Sequence, residues 1–104
     1  MKNTAPKYAA RMFETIVGCK WSLHVLGQIR AGVCRPGALE RSSSGLSRKV
    51  LNQRLQKMLR YGIVQRKVFP VIPPHVEYRL TSFGRRFIKI LDAVNKLDKY
   101  IDQQ

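Results

Sequence analysis

The spacing of the apolar residues changes at Gly62, and this change restricts the folds open to the chain. Over residues 46–59 apolar side chains recur every three or four positions, which is the period of a helix. Residues 63–71 are rich in β-branched and aromatic side chains instead, and prolines from Pro70 onward exclude a helix. The sequence therefore predicts a helix that ends at Gly62 and leads into strands.

The segment after Gly62 is predicted to form a β-hairpin followed by a last helix. Strands over 63–71 and 76–80 are joined by a proline-containing loop. Thr81 then has the side chain of a helix N-cap. The apolar positions that follow keep a spacing of three or four, which indicates one long helix to the end of the chain.

Three helical segments are predicted upstream of the helix that ends at Gly62. The first covers 8–17, and the second covers 20–31 with Gly32 as its stop. A brief helix over 36–41 begins with a proline at its first position. Ser47 is then the predicted N-cap of the helix that reaches Tyr61.

The predicted fold is mainly α-helical with one small β-hairpin, in the order of a winged helix-turn-helix. We expect a single domain over 1–104, a length that suits one core. The helix-turn-helix occupies about 36–61 and the wing about 63–80. A C-terminal helix over about 82–102 is predicted to join an N-terminal helix in dimerisation.

The charge of the chain is strongly positive and locally concentrated. Lysine and arginine number 20 against six acids, which gives a net charge of +14. No acid occurs from Arg41 to Val76. Such an excess repels itself in a compact fold and requires a polyanionic partner. Its local concentration favours a binding face, and double-stranded DNA is the predicted partner. A merely solvated basic face is the plainer interpretation.

The helix over 47–61 has one apolar stripe and one face that carries only cations and amides. Leu51, Leu55, Met58 and Leu59 are predicted to be buried. The opposite face offers groups that match phosphate oxygens and purine edges. With the basic residues of the wing, the predicted DNA-binding set is Ser47, Arg48, Lys49, Asn52, Gln53, Arg54, Arg66, Lys67, His75 and Arg79.

Within this set, position along the helix separates base contacts from backbone contacts. Lys49, Asn52 and Gln53 lie early on the outward face and are predicted to contact bases, with Arg48 alongside. Arg54 lies at the flank of the apolar stripe, so it either holds a phosphate or braces the fold. The cations of the wing are predicted to act mainly through phosphate, on the flanking backbone or in the minor groove.

Four motifs give the chain a family resemblance between about Ile16 and Gly84. They are GCKW (18–21), GLSRKVLNQRLQKML (45–59), YGIVQR (61–66) and FPVIPPHVEYRLTSFG (69–84). With these motifs the chain resembles the HxlR-type winged-helix family of bacterial transcriptional regulators, a relative of the MarR group. The resemblance implies homodimers that bind DNA, with N- and C-terminal helices in the dimer interface.

The resemblance also places single residues. Arg54 matches a family arginine, and Glu77 with Tyr78 matches the second strand of the wing. Several members carry a redox-sensing cysteine near the N-terminus, where this chain has Tyr8. Cys19 stands where the family motif has its second glycine. Redox sensing through the family's cysteine therefore does not carry over.

The apolar stripe of the last helix is wider and longer than one small core requires. We expect it to pair with a second copy, although it could instead cover only its own domain. A two-fold contact leaves no exposed patch. The predicted dimer interface is Phe13, Val17, Phe83, Phe87, Leu91, Val94 and Ile101.

Cys19 is a possible redox site. It precedes a helix and neighbours the Lys20 ammonium, and both features favour the reactive thiolate. The competing interpretation is a small packed hydrophobe. A similar choice applies to Trp21, which is more typical of a core than of a platform for stacked bases.

Other function classes find little support in the sequence. Paired acids, a nucleophile with an adjacent base and a phosphate-binding glycine loop are all missing, so no enzyme, metal or cofactor is predicted. No apolar run approaches the roughly 20 residues of a membrane span, and a cytoplasmic, nucleoid-associated location is expected. Three hypotheses from different classes remain, namely a sequence-specific regulator, a non-specific architectural or RNA-binding protein, and an enzyme, which has the least support. A regulator that responds to oxidation at Cys19 is an alternative form of the first.

Overall fold

Five helices and one β-hairpin follow one another in the computed structural model, which describes residues 5–103 and the side chains from residue 9 onward. This order confirms the mainly helical fold with a small hairpin that the sequence predicts. The elements are α1 (Ala5–Val17), α2 (Lys20–Arg30), α3 (Pro36–Arg41), α4 (Arg48–Arg60), β1 (Val64–Phe69), β2 (His75–Leu80) and α5 (Ser82–Asp102).

The bounds differ from the predicted ones mainly at the hairpin and at the start of the chain. Helix α1 begins at Ala5 and not at Tyr8. Strand β1 ends at Phe69, short of the predicted residue 71, because Pro70 has no N–H to donate to a ladder. Strand β2 begins at His75, where the side-by-side pairing with Phe69 starts.

The core lies where α1, α2, α4 and α5 meet the inner face of the hairpin. Helix α4 contributes Leu51, Leu55 and Met58, each at most 1% exposed, which confirms the predicted stripe. Leu59, the fourth residue of that stripe, is half-buried and packs at the edge of this core. Trp21 packs against the same core, as expected for a structural tryptophan.

The turn after α4 fixes the direction in which the wing leaves the helix. Gly62 has φ +76°, a conformation that glycine adopts without strain. The N–H of Gly62 donates to the carbonyl of Leu59 and that of Ile63 donates to Met58, at 3.0 and 2.9 Å. These two bonds form a Schellman motif, which confirms Gly62 as the stop of α4.

Thr81 joins the start of α5 to the start of the wing. Its hydroxyl accepts the N–H of Gly84 at 2.8 Å, which confirms the predicted N-cap. Its own N–H donates to the carbonyl of Ile63 at 3.1 Å. Gly84 lies so close that a Cβ there would stand 2.0 Å from the Ile63 oxygen. The first turn of α5 is therefore packed directly on the backbone of the wing.

Candidate nucleic-acid interface

Helix α4 is held so that one face must point outward. Its N-terminus is capped by Ser47, whose hydroxyl accepts the N–H of Val50 at 3.1 Å. Its apolar stripe is buried against α2, α3 and β1. The opposite face is therefore free for a partner, and Ser47 itself lies exposed at its edge.

The outward face of α4 is a shallow open depression of cations and amides. Lys49, Asn52 and Gln53 are exposed, as predicted, and so are Gln56 and Arg60. The complete lining is Arg48, Lys49, Asn52, Gln53, Arg54, Gln56, Lys57 and Arg60. It contains no acid. The bases of duplex DNA present acceptors and donors that amides, ammonium and guanidinium groups recognise.

Arg48 differs from its neighbours because it has a partner. Its Nε donates to Oε1 of Glu40 at 3.0 Å, while the arginine side chain stays 77% exposed. Glu40 lies on α3, so the pair spans the two helices of the helix-turn-helix. No pattern in the sequence indicated this contact. The pair lowers the free charge at the start of α4, which leaves Lys49 as the first cation of that face with no acid partner among the described residues.

Arg54 lies on the inner flank of α4 and not on its outward crest. Its Nη1 approaches Sγ of Cys19 at 3.4 Å, at the start of α2. Its Nε is buried and has no hydrogen-bond partner among the described residues. Of the two roles predicted for Arg54, the observed contact fits the bracing of α4 against α2.

The two strands of the wing pair in antiparallel register and sort the wing cations onto two faces. Lys67 pairs with Glu77, and Arg66 pairs with Tyr78. Because side chains alternate along a strand, Lys67, His75 and Arg79 share one face. Arg66 lies on the other face, beside the buried Tyr78, yet its own side chain is exposed. The four predicted wing cations therefore do not form a single cluster.

Glu77 and Phe69 organise the shared face of the wing. Glu77 accepts hydrogen bonds from Arg79, and its Oε2 lies 3.3 Å from Nε2 of His75. The Arg79 guanidinium and, to a lesser degree, His75 hold the pKa of the Glu77 carboxyl below its usual value against a smaller opposing effect of burial. The His75 ring stacks on the Phe69 ring with their centroids 4.5 Å apart. The Nζ of Lys67 lies 5.4 Å from the centroid of the Phe69 ring. Lys67 remains the cation of this face without an acid partner among the described residues.

The predicted dimer residues separate into exposed and internal ones. Phe83 is 45% and Ile101 58% exposed on α5. Phe87 is only 3% exposed and packs on Phe13 with ring centroids 5.7 Å apart. Phe87 therefore belongs to the core of its own chain, which corrects its place in the predicted interface. Val17, Leu91 and Val94 are half-buried, and the structure adds exposed apolar residues at Ile90, Leu97 and Tyr100.

Cys19 is the N-cap of α2 and lies half-buried, so its place at a helix start is confirmed. Burial raises the pKa of its thiol. The hydroxyl of Ser22, the backbone amides of Ser22 and Trp21, and the charge of Arg54 lower it by more, so that the pKa falls below its usual value. The expected neighbour Lys20 instead lies over the Trp21 ring at 5.0 Å. Arg54, which no sequence pattern connects with Cys19, is the cation that faces the thiol.

A metal cluster and a membrane-spanning helix are both absent from the part of the chain that the structure describes. Within residues 5–103 no three His, Cys, Asp or Glu side chains come together as metal ligands. None of the described helices has the length and apolar character to cross a membrane.

Comparisons with known proteins agree with this geometry. The sequence profile of the HxlR-like helix-turn-helix proteins matches residues 16–104. The HTH-type transcriptional regulator sll1512 of Synechocystis is 44% identical over 78 residues, which cover 75% of this chain and 58% of that protein. The chain thus spans a little over half the length of this relative.

Solved structures of transcriptional regulators share the fold of the chain. A transcriptional regulator of the MarR family from Enterococcus faecalis V583 superposes with a TM-score of 0.83 at 28% identity, over 93% of this chain and 88% of that one. The redox regulator HypR in its oxidized form superposes with a TM-score of 0.74 at 26% identity, over 88% of this chain and 95% of that one. From the sequence match and the winged helix together, the chain belongs to the HxlR-like helix-turn-helix family.

Proposed function

We propose that the protein is a sequence-specific, homodimeric DNA-binding regulator of transcription. The single observation that carries this proposal is the outward face of α4, which presents cations and amides with no acid among them. A face of this kind complements both the phosphates and the base edges of a duplex. The descriptions of the relatives as transcriptional regulators support the same function. A cytoplasmic place on the nucleoid follows from it.

The proposed roles follow from exposure and from the ion pairs. Lys49, Asn52 and Gln53 are exposed and free of acid partners among the described residues, so they read bases in the major groove. Arg48 is drawn towards Glu40 and acts at the edge of the same contact. Ser47 donates its hydroxyl to a phosphate, since its oxygen already accepts the N–H of Val50.

The wing supplies the contacts that hold the duplex in place. Lys67 has no acid partner in the described part of the chain and binds the backbone phosphate directly. Arg79 and His75 are oriented by Glu77 and act beside it, and Arg66 acts from the opposite face of the hairpin. Arg54 braces α4 through its contact with the start of α2.

The homodimer is proposed to form through α5 together with α1. The second half of α5 carries Leu97, Tyr100 and Ile101, each more than half exposed. An isolated chain rarely leaves such a row of apolar side chains in water. A two-fold pairing covers the row on both copies and places two α4 helices on half-sites about one DNA turn apart, or a multiple of that. Sedimentation at micromolar concentration tests this, and a stable monomer would contradict it.

In vitro selection of bound DNA at physiological salt tests the proposed function. A specific regulator selects a palindromic motif and binds it about 10³-fold or more tightly than unrelated DNA. A non-specific architectural protein enriches no motif, and an RNA-binding protein prefers RNA of the same length. Either of these two outcomes would replace the proposal.

A regulator that responds to oxidation at Cys19 is a second candidate, because the thiol contacts Arg54 of α4, the helix proposed to read the bases. Oxidation to a sulfenic acid changes the size and polarity of the sulfur and disturbs that brace. HypR, which is described as a redox regulator, shares the fold at 26% identity. We expect Cys19 to react with a thiol probe faster than Cys34. Oxidant should change DNA affinity in Cys34→Ser but not in Cys19→Ser, and an equal response in both variants would leave Cys19 as packing.

A further inference from the structure

A second group of basic side chains lies in a cleft between α3 and the wing. It shares no residue with the depression on α4. On one side the cleft is lined by Arg35 and the exposed face of α3, and on the other by the start of β2. The complete lining is Arg35, Pro36, Gly37, Ala38, Arg41, Pro74, His75 and Val76.

A backbone hydrogen bond fixes the two walls of the cleft relative to each other. The N–H of Tyr78 in β2 donates to the carbonyl of Cys34 at 2.7 Å. Cys34 directly precedes Arg35, so the wing is tied to the chain at the point where α3 begins. This hydrogen bond therefore keeps Arg35 near the strand that begins with His75.

Gly37 makes room for one of the arginines in this cleft. A Cβ at Gly37 would lie 3.2 Å from Nη1 of Arg41, which is tighter than ordinary contact. The guanidinium of Arg41 thus folds back over the first turn of α3 towards the cleft. The missing side chain at position 37 lets it lie there without displacement.

The two arginines of the cleft carry positive charge that no acid neutralises among the described residues. Within the described part of the chain, Arg35 and Arg41 form no ion pair. Glu40 is next to Arg41 in sequence but is held by Arg48 on α4. Glu77 lies near His75, yet it also accepts the hydrogen bonds of Arg79. Two guanidinium groups are therefore available to one ligand.

We propose that this cleft binds a backbone phosphate of the DNA whose bases α4 reads. Guanidinium forks match phosphate oxygens in geometry and keep their charge at any physiological pH. The first helix of a helix-turn-helix crosses the DNA backbone, and α3 is the helix that precedes α4 here. The assignment rests on the proposed function, and it adds Arg35 and Arg41 to the contacts that position the duplex.

Salt-dependent DNA binding by Arg35→Ala and Arg41→Ala tests the cleft. Each variant should bind the selected DNA about tenfold more weakly per half-site at 0.1 M salt. The slope of log affinity against log salt should become shallower by about 0.9 for each phosphate that is no longer bound. The selected motif should not change, because phosphate contacts carry no base information. Arg11→Ala is the matched control, since Arg11 is exposed on α1 without an ion pair among the described residues and its replacement changes the net charge equally.

The outcomes separate the cleft from the proposed function as a whole. If the wild type selects a motif but both cleft variants bind like Arg11→Ala, the cleft assignment is wrong and the regulator stands. If the wild type selects no motif, the proposed function fails first. A separate experiment titrates inorganic phosphate into the free protein and follows the ring signals of His75. A shift of the His75 ring signals that disappears in Arg41→Ala, with DNA binding unchanged, would assign the cleft to a free phosphate compound and overturn the backbone contact.

Discussion

Replacing Gly84 by alanine should destabilise the fold by about 3 kcal/mol or more. The added Cβ would stand 2.0 Å from the carbonyl oxygen of Ile63 and 3.0 Å from its carbon. A carbon and an oxygen normally approach to about 3.3 Å, so the first turn of α5 must move away from the wing by about 1 Å. That movement also breaks the hydrogen bonds around Thr81. The gain of roughly 1 kcal/mol from alanine in a helix does not offset it.

Denaturant unfolding measures this effect, and Gly27→Ala supplies the control. Gly27 lies exposed in α2 with nothing within 4 Å of its added Cβ, so the same chemical change should be neutral or stabilise by up to about 1 kcal/mol. For a chain of 104 residues the expected destabilisation at Gly84 lowers the melting temperature by roughly 12–15 °C. Equal stability of the two variants would refute the close contact between α5 and the wing.

Two further predictions concern residues proposed to contact DNA, and a third concerns the ion pair between Arg30 and Asp92. Asn52→Ala and Gln53→Ala should each change the selected motif and cost about 1–3 kcal/mol of binding, and an unchanged motif would remove these residues from base recognition. Lys67→Ala should weaken all DNA alike and reduce the salt slope by about one unit. The guanidinium of Arg30 holds the pKa of Asp92 below its usual value, so this carboxyl adds stability that is complete above about pH 5 and is lost as the pH falls through the lower folded pKa. Thermal melts of Asp92→Asn should therefore show a shallower decline in stability on acidification below about pH 5 than the wild type.

Helix ends and the hairpin were predictable because their signals are local. Ser47 and Thr81 each bond to an N–H three residues ahead, and a hydroxyl before an apolar period indicates such a cap. Gly62 marks the end of α4 through its own backbone conformation. The start of α1 was missed, because this helix begins at Ala5 and not at Tyr8.

Contacts between distant segments were missed because they depend on how helices pack. Arg48 meets Glu40 only through the angle between α3 and α4, and no residue pattern measures that angle. Arg54 meets Cys19 across 35 positions of sequence. The free charge at the α4 face and the surroundings of the thiol therefore became visible only in the folded chain.

The stripe on α5 shows a different limit. A helical period identifies a face, but it does not say which part of that face meets the chain's own core. Phe87 packs on Phe13 inside the molecule, whereas Phe83 and Ile101 on the same helix remain exposed. The α5 residues beyond the core were distinguishable only once the position of α1 was known.

Methylation interference on the selected DNA tests most directly whether α4 enters the major groove with its outward face. Dimethyl sulfate modifies N7 of guanine in the major groove and N3 of adenine in the minor groove. We predict that N7 methylation within each half-site blocks binding, and that Lys49→Ala removes the interference at one position while leaving the flanking ones. Interference confined to adenine N3, or an unchanged pattern in Lys49→Ala together with Asn52→Ala, would contradict major-groove recognition by α4.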